Sequence, residues 1–506
     1  MRPRLTLPQL WLALAVLLPG LAALLAAVSA VDLAYHLRAG SEMLDGGGLP
    51  HTDTYTFTVA GEPWLDQQWG AQVVLAGTWR AAGWTGLVLL RSILIAAAWA
   101  CLVQAIRWRA PGLEARLVAA LALGAFLVTA PAMALRPQLL AILLLCLTLA
   151  LLAGRRRHPR LVWAVPVVVA AWANVHGSFV LGPLLAGLAW LEDAGRDPRR
   201  ARGTFALAAV SGLAMLVNPA GVGAVRYALT LSSNRELAAR VTEWQPPTVS
   251  DPAGILFFGS LALVIAVVVV RRRSVSWPAA LTLLAFGALG LVAVRGVAWW
   301  PAVAVVTVAG LLPGRTAEAL VRLPRPRALN TTVVALLLLA AVPLLPAWRA
   351  PDPGLGLDAP RGVLTGAPPG ITLALREIAV QGDRLWNPQT WGSWFELAVP
   401  ALTVAVDSRI ELFPPAVWAD YDTVAAARPG WQAVLDRRGA TIVAVPAGWV
   451  GLRAALDGDP GWRIVAPVMA PPADEGAVFV RVSRKSGSRR PLPKTVRGVR
   501  AQFRAG

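Results

Sequence analysis

Charged residues are scarce in this chain of 506 residues, since they account for only 15% of it while hydrophobic residues account for 56%. Soluble domains carry about 25% charged residues, so the composition excludes an ordinary soluble protein. Cysteine is almost absent, because Cys101 and Cys146 are the only two and both lie in apolar runs. This excludes a disulfide framework of the kind that stabilises small secreted domains.

Lysine is also nearly absent, so the net charge of +19 comes almost entirely from arginine. The arginines cluster in short segments between apolar runs. Basic charge placed in this way sets the orientation of membrane helices. We therefore predict the lipid bilayer as a partner and no nucleic-acid partner.

Long apolar runs fill the first 347 residues. About 20 apolar residues cross the hydrocarbon core as a helix, because backbone amides in lipid must be satisfied within the segment. The runs are 8–30, 84–106, 117–133, 138–153, 161–174, 177–191, 203–217, 254–270, 275–294, 297–313 and 330–347. We predict a mostly α-helical polytopic bundle over 1–347 with eleven spans.

The first run follows Arg2 and Arg4 and ends in Val28–Ala30, a passable signal-peptide cleavage site. It is longer than the roughly 7–15 residues of a signal-peptide core, which favours an uncleaved first helix.

When successive apolar runs are assigned to alternate directions across the membrane, the arginine-rich loops all fall on one side. With a cytoplasmic N-terminus, the inner loops are the arginine clusters 107–116, 155–160, 196–202, 271–273 and 315–327. The long first loop, 31–83, falls outside, as does everything after 347. An arginine bias is typical of cytoplasmic loops. We predict a multi-pass cell-membrane protein with a cytoplasmic N-terminus and an extracytoplasmic C-terminal domain.

The runs 161–174 and 177–191 are each shorter than the roughly 17 residues of a normal span. A broken or re-entrant pair that meets at 174–178 fits this length, and its non-helical backbone would need protein or a water-filled cavity beside it. A single long helix would invert every later loop and place 271–273 outside, which argues against it.

The composition changes after 347. Segment 348–370 is rich in Pro and Gly and is typical of a linker. Segment 371–483 alternates strand-like and helix-like stretches, which predicts a small α/β domain. The predicted strands are 384–386, 402–406, 441–445 and 478–482, and the predicted helices are 415–438 and 449–457. The basic tail, 484–506, lacks apolar periodicity and is predicted to be disordered.

Three residues of the first outer loop are catalytic candidates. Asp32 directly follows the first run, and His36 comes four residues later, so on a helix the two share a face. A carboxylate at this place can act as a general base, whereas a capping Asp beside an exposed His is the structural alternative. Asp66 lies at the Trp-rich end of the loop, where interfacial anchoring is the alternative.

Five further residues are substrate-binding candidates. Arg136 and Arg295 stand alone at the outer ends of helices, against the usual bias. Guanidinium groups clamp phosphates, and a lipid-linked phosphate or pyrophosphate would arrive at this depth, although snorkelling to headgroups also explains them. His176, Glu243 and Asp53 complete the polar set on this face.

Two other polar features have structural explanations beside functional ones. Arg91 lies within a span, where an ionisable group is usually functional or paired. Asp407 and Arg409 follow a predicted strand, where loops carry sites in α/β domains. An internal Asp–Arg pair that fixes the loop is the favoured interpretation.

Several motifs resemble those of the GT-C superfamily of polytopic glycosyltransferases, in a largely uncharacterised bacterial branch. The resemblance spans roughly 1–480. Its motifs are Asp32–Gly40, Arg136–Gln138, Trp172–Ser178, Trp391–Ser393 and Val406–Arg409. The chain also resembles this superfamily in its acidic residue after the first helix, its long first outer loop and its exported α/β domain.

The resemblance implies a donor sugar on a polyprenyl phosphate, Asp32 as the general base, and Arg136, His176 or Arg295 beside the lipid phosphate. Many members carry adjacent acidic residues in the first loop. Here Asp32 stands between two apolar residues, so a second carboxylate would have to come from Asp53 or Asp66.

Three functions remain open at this stage. The first is transfer of a sugar to an extracytoplasmic acceptor, such as a cell-envelope glycan or protein. The second is a lipid or solute transporter or flippase, which predicts polar groups at all membrane depths and related halves. The third is an envelope scaffold. A divalent cation is compatible with facing carboxylates, but hard cations need several oxygen ligands.

Overall fold

The computed structural model describes residues 4–232, 240–314, 325–470 and 473–482. A helical body extends to residue 344, and a mixed α/β region follows it. The predicted disordered tail, 484–506, lies outside the described residues, as does most of the arginine-rich loop 315–327.

Most helices of the body coincide with the apolar runs, because each run satisfies its backbone amides internally. Ala30–Glu42 and Val222–Ser232 are helices outside these runs. Proline stands in the first turn of several helices, where its missing N–H is not needed. The helices are α1 (Leu7–Leu25), α2 (Ala30–Glu42), α3 (Trp69–Arg109), α4 (Ala115–Thr129), α5 (Pro137–Gly154), α6 (Val165–Ala173), α7 (Leu181–Ala194), α8 (Pro198–Ala214), α9 (Val222–Ser232), α10 (Pro252–Val270), α11 (Trp277–Val292), α12 (Val294–Val297), α13 (Trp300–Ala309) and α14 (Ala328–Ala341).

Within the described residues, five helices are long and apolar enough to cross a membrane. They are Leu7–Leu25, Trp69–Arg109, Ala115–Ala132, Pro137–Gly154 and Pro252–Val270. Shorter apolar helices are Leu161–Ala173, Val222–Leu231, Trp277–Val292, Val294–Ala309 and Ala328–Leu344. These segments indicate a multi-pass membrane protein, and eleven crossings stays a prediction.

The first outer connection, 31–83, is largely helical, because it contains α2 and the beginning of α3. Ser29 caps α2, since its Oγ accepts a backbone N–H of the first turn at 3.4 Å. Helix α3 is interrupted at Gly83, whose φ of +58° suits glycine. The second apolar run begins directly after this point. The stretch 49–57 forms isolated bridges and no regular strand.

The break predicted near 174–178 is present. Helix α6 ends at Ala173, and α7 begins at Leu181 after a short 3₁₀ turn. Asn174 anchors the break, because its Oδ1 accepts a hydrogen bond from the indole of Trp69 at 3.0 Å. The broken helix therefore meets the beginning of α3.

Arg91 has a structural role at the end of α1. Its guanidinium donates to the carbonyl oxygen of Ala27 at 2.8 Å and to those of Ala23 and Ala26. Carbonyls at a helix C-terminus lack partners within the helix, so Arg91 satisfies them. This fixes the turn that leads into Asp32.

Ion pairs join the ends of α3, α5 and α7. Arg109 binds Glu192 at 2.7 Å, and Arg155 binds Asp193 at 2.8 Å. Three of the loops predicted to share the cytoplasmic side, 107–116, 155–160 and 196–202, therefore lie at one end of the bundle. The α/β region lies at the opposite end, which we call the domain end.

The α/β region contains a five-stranded sheet of order β4-β3-β5-β7-β6. Strands β4, β3 and β5 are parallel, and β7 pairs antiparallel with β5 and β6. The elements are β2 (Leu364–Thr365), α15 (Pro369–Ile378), β3 (Asp383–Trp386), α16 (Gln389–Ala398), β4 (Leu402–Val404), α17 (Pro415–Ala425), α18 (Trp431–Arg438), β5 (Ile442–Pro446), α19 (Val450–Asp457), β6 (Trp462–Ala470) and β7 (Ala473–Arg481).

The sequence pattern predicts four of these strands and misses β6. The predicted helix 415–438 is two helices, because Gly430 adopts a left-handed φ of +93° between them.

The α/β region packs directly on the bundle. Arg38 of α2 donates to the carbonyl of Glu396 at 3.0 Å, and the indole of Trp84 donates to the carbonyl of Leu357 at 2.8 Å. A two-residue strand after α1, β1 (Val28–Ser29), also pairs in parallel with β2. The α/β region is therefore held beside α2.

We expect Gly40→Ala to destabilise the packing of α2 on α3. A Cβ at Gly40 would lie 2.2 Å from the carbonyl oxygen of Gln72, which is backbone and cannot rotate away. Overpacking of this kind costs about 1–3 kcal/mol. Thermal unfolding in detergent should show a lower Tm. At Gly77 a Cβ would meet only Leu44, at 4.0 Å, so Gly77→Ala is the control. Equal Tm values for both variants would contradict the prediction.

Candidate functional site

An arginine at the domain end of the bundle joins three distant segments. Arg136 precedes α5, and its Nη1 lies 3.2 Å from Oδ2 of Asp32 in the first turn of α2. Its Nη2 lies 2.7 Å from Oε1 of Glu243, in a 3₁₀ turn between α9 and α10. The structure thus brings together one catalytic candidate and two substrate-binding candidates.

A second arginine stands beside this group. Nη2 of Arg295 lies 3.3 Å from Nε2 of His176, and its guanidinium lies 4.9 Å from the ring centre of Trp244. Burial and the neighbouring Arg295 hold the pKa of His176 well below its ordinary value, so this imidazole is neutral. Among the described residues Arg295 forms no ion pair.

Both arginines line a small cleft with a cavity volume of about 50 Å³. Its walls are mostly apolar, and they include Val128, Pro131 and Val297. Gln138 also lines it, and the buried Oε1 of this side chain has no hydrogen-bond partner in the described part of the chain. Apolar walls with two guanidinium groups suit a ligand that is part lipid and part anion.

Asp66 lies at a second cleft with a cavity volume of about 260 Å³, which His51, Trp69 and Asn218 also line. Its Oδ1 accepts hydrogen bonds from the backbone N–H of Gln68 at 3.2 Å and from the Gln72 amide at 2.9 Å. Its Oδ2 is buried without a partner among the described residues. Burial raises the pKa of Asp66 to about 7.

The α/β region contributes an acidic residue that the sequence candidates do not include. Glu411 accepts a hydrogen bond from the hydroxyl of Tyr227 at 3.1 Å, and burial raises the pKa of its carboxyl. Both Glu411 and Asp66 act electrostatically on the buried phenol of Tyr35. Only the position of Glu411 two residues after Arg409 could have suggested this residue.

Asp53, one of the substrate-binding candidates, is buried and forms an internal ion pair. It is 1% exposed and binds Arg409 at 2.6 Å, and its carboxylate also accepts from Tyr55 and Thr56. Arg409 in turn pairs with Asp407, as the favoured interpretation of that motif predicts. The structure therefore gives Asp53 the role of fixing the first loop on the α/β region.

His36, one of the catalytic candidates, faces inward. It is 2% exposed and stacks on Tyr35 with 3.9 Å between ring centres. Burial, with Arg136 and Arg409 nearby, lowers its pKa to about 3. The shared helical face predicted for His36 and Asp32 exists, but a buried neutral imidazole has no open path to an acceptor.

Within residues 4–232, 240–314, 325–470 and 473–482, no group of three His, Cys, Asp or Glu side chains is arranged to hold a metal ion. Arginine occupies the space between Asp32 and Glu243 instead.

Neither a protein-family model nor a curated protein matches this chain. Among solved structures it is similar to the archaeal oligosaccharyltransferase AglB of Archaeoglobus fulgidus. The apo form has a TM-score of 0.52 at 11% identity, over 86% of this chain and 69% of that chain. The complex of AglB with an inhibitory peptide and a dolichol-phosphate has a TM-score of 0.53 at 11% identity, over 92% and 74%.

AglB is a membrane glycosyltransferase with the GT-C fold, and at this low identity the likeness concerns the fold alone. The fold defines the class of protein: a multi-pass membrane protein that is structurally similar to a GT-C glycosyltransferase. The similarity extends over both the helical body and the α/β region, since it covers most of the chain.

We expect Asp66→Asn to change how stability depends on pH. The folded-state pKa of Asp66, about 7, exceeds the unfolded value of about 3.9, so its contribution to stability is present at low pH and is lost as pH rises to about 7. Between pH 5 and pH 8 the wild-type Tm should therefore fall more than that of the variant. Parallel Tm curves would contradict this.

His36→Gln serves as the comparison, because it should reduce the loss of Tm at low pH, whereas Asp66→Asn should reduce the loss of Tm at high pH. The pKa of His36 is lowered to about 3, so the unfolded chain binds the proton more tightly and stability is lost as pH falls from about 6.5. The variant should lose less Tm than wild type between pH 7 and pH 5. Thermal unfolding in one detergent, across one series of buffers, measures both variants.

Proposed function

We propose that the protein is an inverting membrane glycosyltransferase of the GT-C type. It would move a sugar from a polyprenyl phosphate to an acceptor hydroxyl on the extracytoplasmic side. The observation that carries this proposal is that Arg136, Glu243 and Arg295 line a cleft with apolar walls while Arg136 also binds Asp32. The fold, shared with a solved oligosaccharyltransferase, supports it.

In the proposed reaction, Asp32 removes the proton from the acceptor hydroxyl. The acceptor oxygen attacks the anomeric carbon of the sugar while the bond between that carbon and the phosphate oxygen breaks. The bonding electrons leave with the phosphate, so the configuration at the anomeric carbon inverts. A positioned general base of this kind contributes about 10²- to 10⁴-fold to the rate.

Arg295 would receive the departing phosphate. Its guanidinium lines the cleft, and no carboxylate among the described residues pairs with it. His176 and Trp244 hold the guanidinium in place without neutralising it. Charge placed in advance where negative charge develops is an effective form of catalysis.

Arg136 and Glu243 would position the base. Arg136 binds Asp32 and Glu243 at the same time, which fixes the carboxylate of Asp32 relative to the cleft. The side chain of Asp32 is 33% exposed, so an acceptor has access to it. Asp66 lines the second cleft, where its Oδ2 has no partner among the described residues, and it is a further acidic member of the proposed site.

The partners follow from this chemistry. The solved complex of AglB contains a dolichol-phosphate and a peptide, which supports a lipid phosphate as the leaving group here and permits a protein acceptor. A cell-envelope glycan is the other class of acceptor. The arginine clusters at the end opposite the α/β region support a cytoplasmic N-terminus and an extracytoplasmic α/β domain.

We expect Asp32→Asn to lower sugar transfer by about 10²- to 10⁴-fold, because an amide cannot accept the proton. Protein in proteoliposomes, with a radiolabelled polyprenyl-phosphate sugar and envelope extract as acceptor, measures the transfer. The control is Asp45→Asn, which removes an exposed carboxylate that pairs with Arg80 at the end of the same helical segment. Full activity of Asp32→Asn, with both variants equally folded, would reject the assignment of the base.

Arg295→Gln should reduce the amount of polyprenyl phosphate that co-purifies by about tenfold, because a charge-assisted contact to phosphate is lost. Native mass spectrometry of the detergent-purified protein measures the bound lipid. Arg80→Gln, which removes an exposed guanidinium near the same end of the bundle, is the matched control. Equal lipid occupancy in both variants would argue against a phosphate at Arg295.

A further inference from the structure

The charges around the cleft have an uneven distribution. Arg136 is bridged to two carboxylates, Asp32 at 3.2 Å and Glu243 at 2.7 Å, so its positive charge is already compensated. An anionic ligand gains little from a guanidinium in this state, because it must first displace a carboxylate.

Arg295 differs from Arg136 in this respect. Its contacts in the described part of the chain are a ring nitrogen of His176 and the face of Trp244, and neither carries a negative charge. The cleft therefore offers a ligand one guanidinium that has no direct carboxylate partner among the described residues, while Glu243, Asp32 and Glu411 act on it only at longer range. Two guanidinium groups line it, but only one of them is available.

Sugar donors on lipids carry either one phosphate or two. A phosphodiester between sugar and lipid has a single negative charge, whereas the corresponding diphosphate diester has two. A second negative charge, placed in a partly buried cleft without its own partner, carries a large desolvation penalty. A negative Glu243 at the edge of the cleft adds repulsion to that penalty.

We infer that Glu243 is a specificity-determining residue that restricts the site to a donor with a single phosphate, by keeping the guanidinium of Arg136 occupied. This inference rests on the proposed function, because it assumes that a lipid-linked phosphate enters the cleft. It goes further in assigning the choice between one and two phosphates to a named side chain. Selectivity of this kind rests on an arranged repulsion as much as on an attraction.

The test uses two lipid probes of defined charge on the full-length protein in detergent. The probes are the monomethyl esters of farnesyl phosphate and of farnesyl diphosphate, which carry one and two negative charges. Native mass spectrometry titrations give the Kd of each probe. Wild-type protein should bind the monophosphate ester about tenfold or more tightly than the diphosphate ester.

Glu243→Gln should raise the affinity for the diphosphate ester by about tenfold and reduce the preference for the monophosphate, because a neutral amide holds Nη2 of Arg136 less strongly and no longer repels the second phosphate charge. The control is Glu62→Gln, which makes the same charge change at an exposed position of the first loop. It should leave both Kd values unchanged. A gain in affinity cannot arise from misfolding, so this outcome separates specificity from stability.

Three results would overturn the inference. A wild-type preference for the diphosphate ester would reject it while leaving the proposed function in place. A diphosphate Kd that is equal in wild type and Glu243→Gln would reject the role of Glu243 alone. Failure of both probes to bind any of the proteins would overturn the inference together with the lipid-phosphate basis of the proposed function.

Discussion

The bridge from Arg136 to Asp32 and Glu243 is the interaction on which the candidate site depends. It joins the first turn of α2, the residue before α5 and the turn after α9. Asp32 and Glu243 are each more than 100 residues from Arg136 in the sequence. A half-buried guanidinium is costly without carboxylate partners, and the two carboxylates are likewise stabilised by the guanidinium of Arg136. Without this bridge the side chain of Asp32 would have no fixed orientation. The carboxylate of Glu243 would also no longer be held at the edge of the cleft that Arg295 lines.

Three buried arginines show how this chain uses guanidinium groups to join segments that are distant in the sequence. Arg91 binds the last carbonyls of α1, and Arg409 joins Asp53 of the first loop to Asp407 of the α/β region. Arg155 pairs with Asp193 at the far end of the bundle. Each uses a planar donor set that can hold several acceptors at once. Arg295 differs from them, since no carboxylate in the described residues pairs with it.

The sequence predicts well those features that depend on local pattern. The apolar runs place the helices, and the short runs around Asn174 predict the break, because the length of a span is set by the bilayer. The isolated positions of Arg136 and Arg295 indicate a candidate site, because arginine at the outer ends of helices runs against the usual charge bias. Spacing could not decide which side of α2 would be buried, so His36 was grouped with Asp32 although it faces the protein. The burial of Asp53 and the contact of Glu411 with Tyr227 depend on how the α/β region packs on the bundle. A local sequence pattern does not predict that packing.

The parallel pairing of Val28 and Ser29 with Leu364 and Thr365 limits how independent the C-terminal region can be. Its strand completes the turn between α1 and α2, so residues from opposite ends of the sequence form one structural unit directly before Asp32. Such a region is not a module that can be exchanged between proteins at a linker. Any rearrangement of the gene that separates the two segments would also remove the support of the residue proposed as the base.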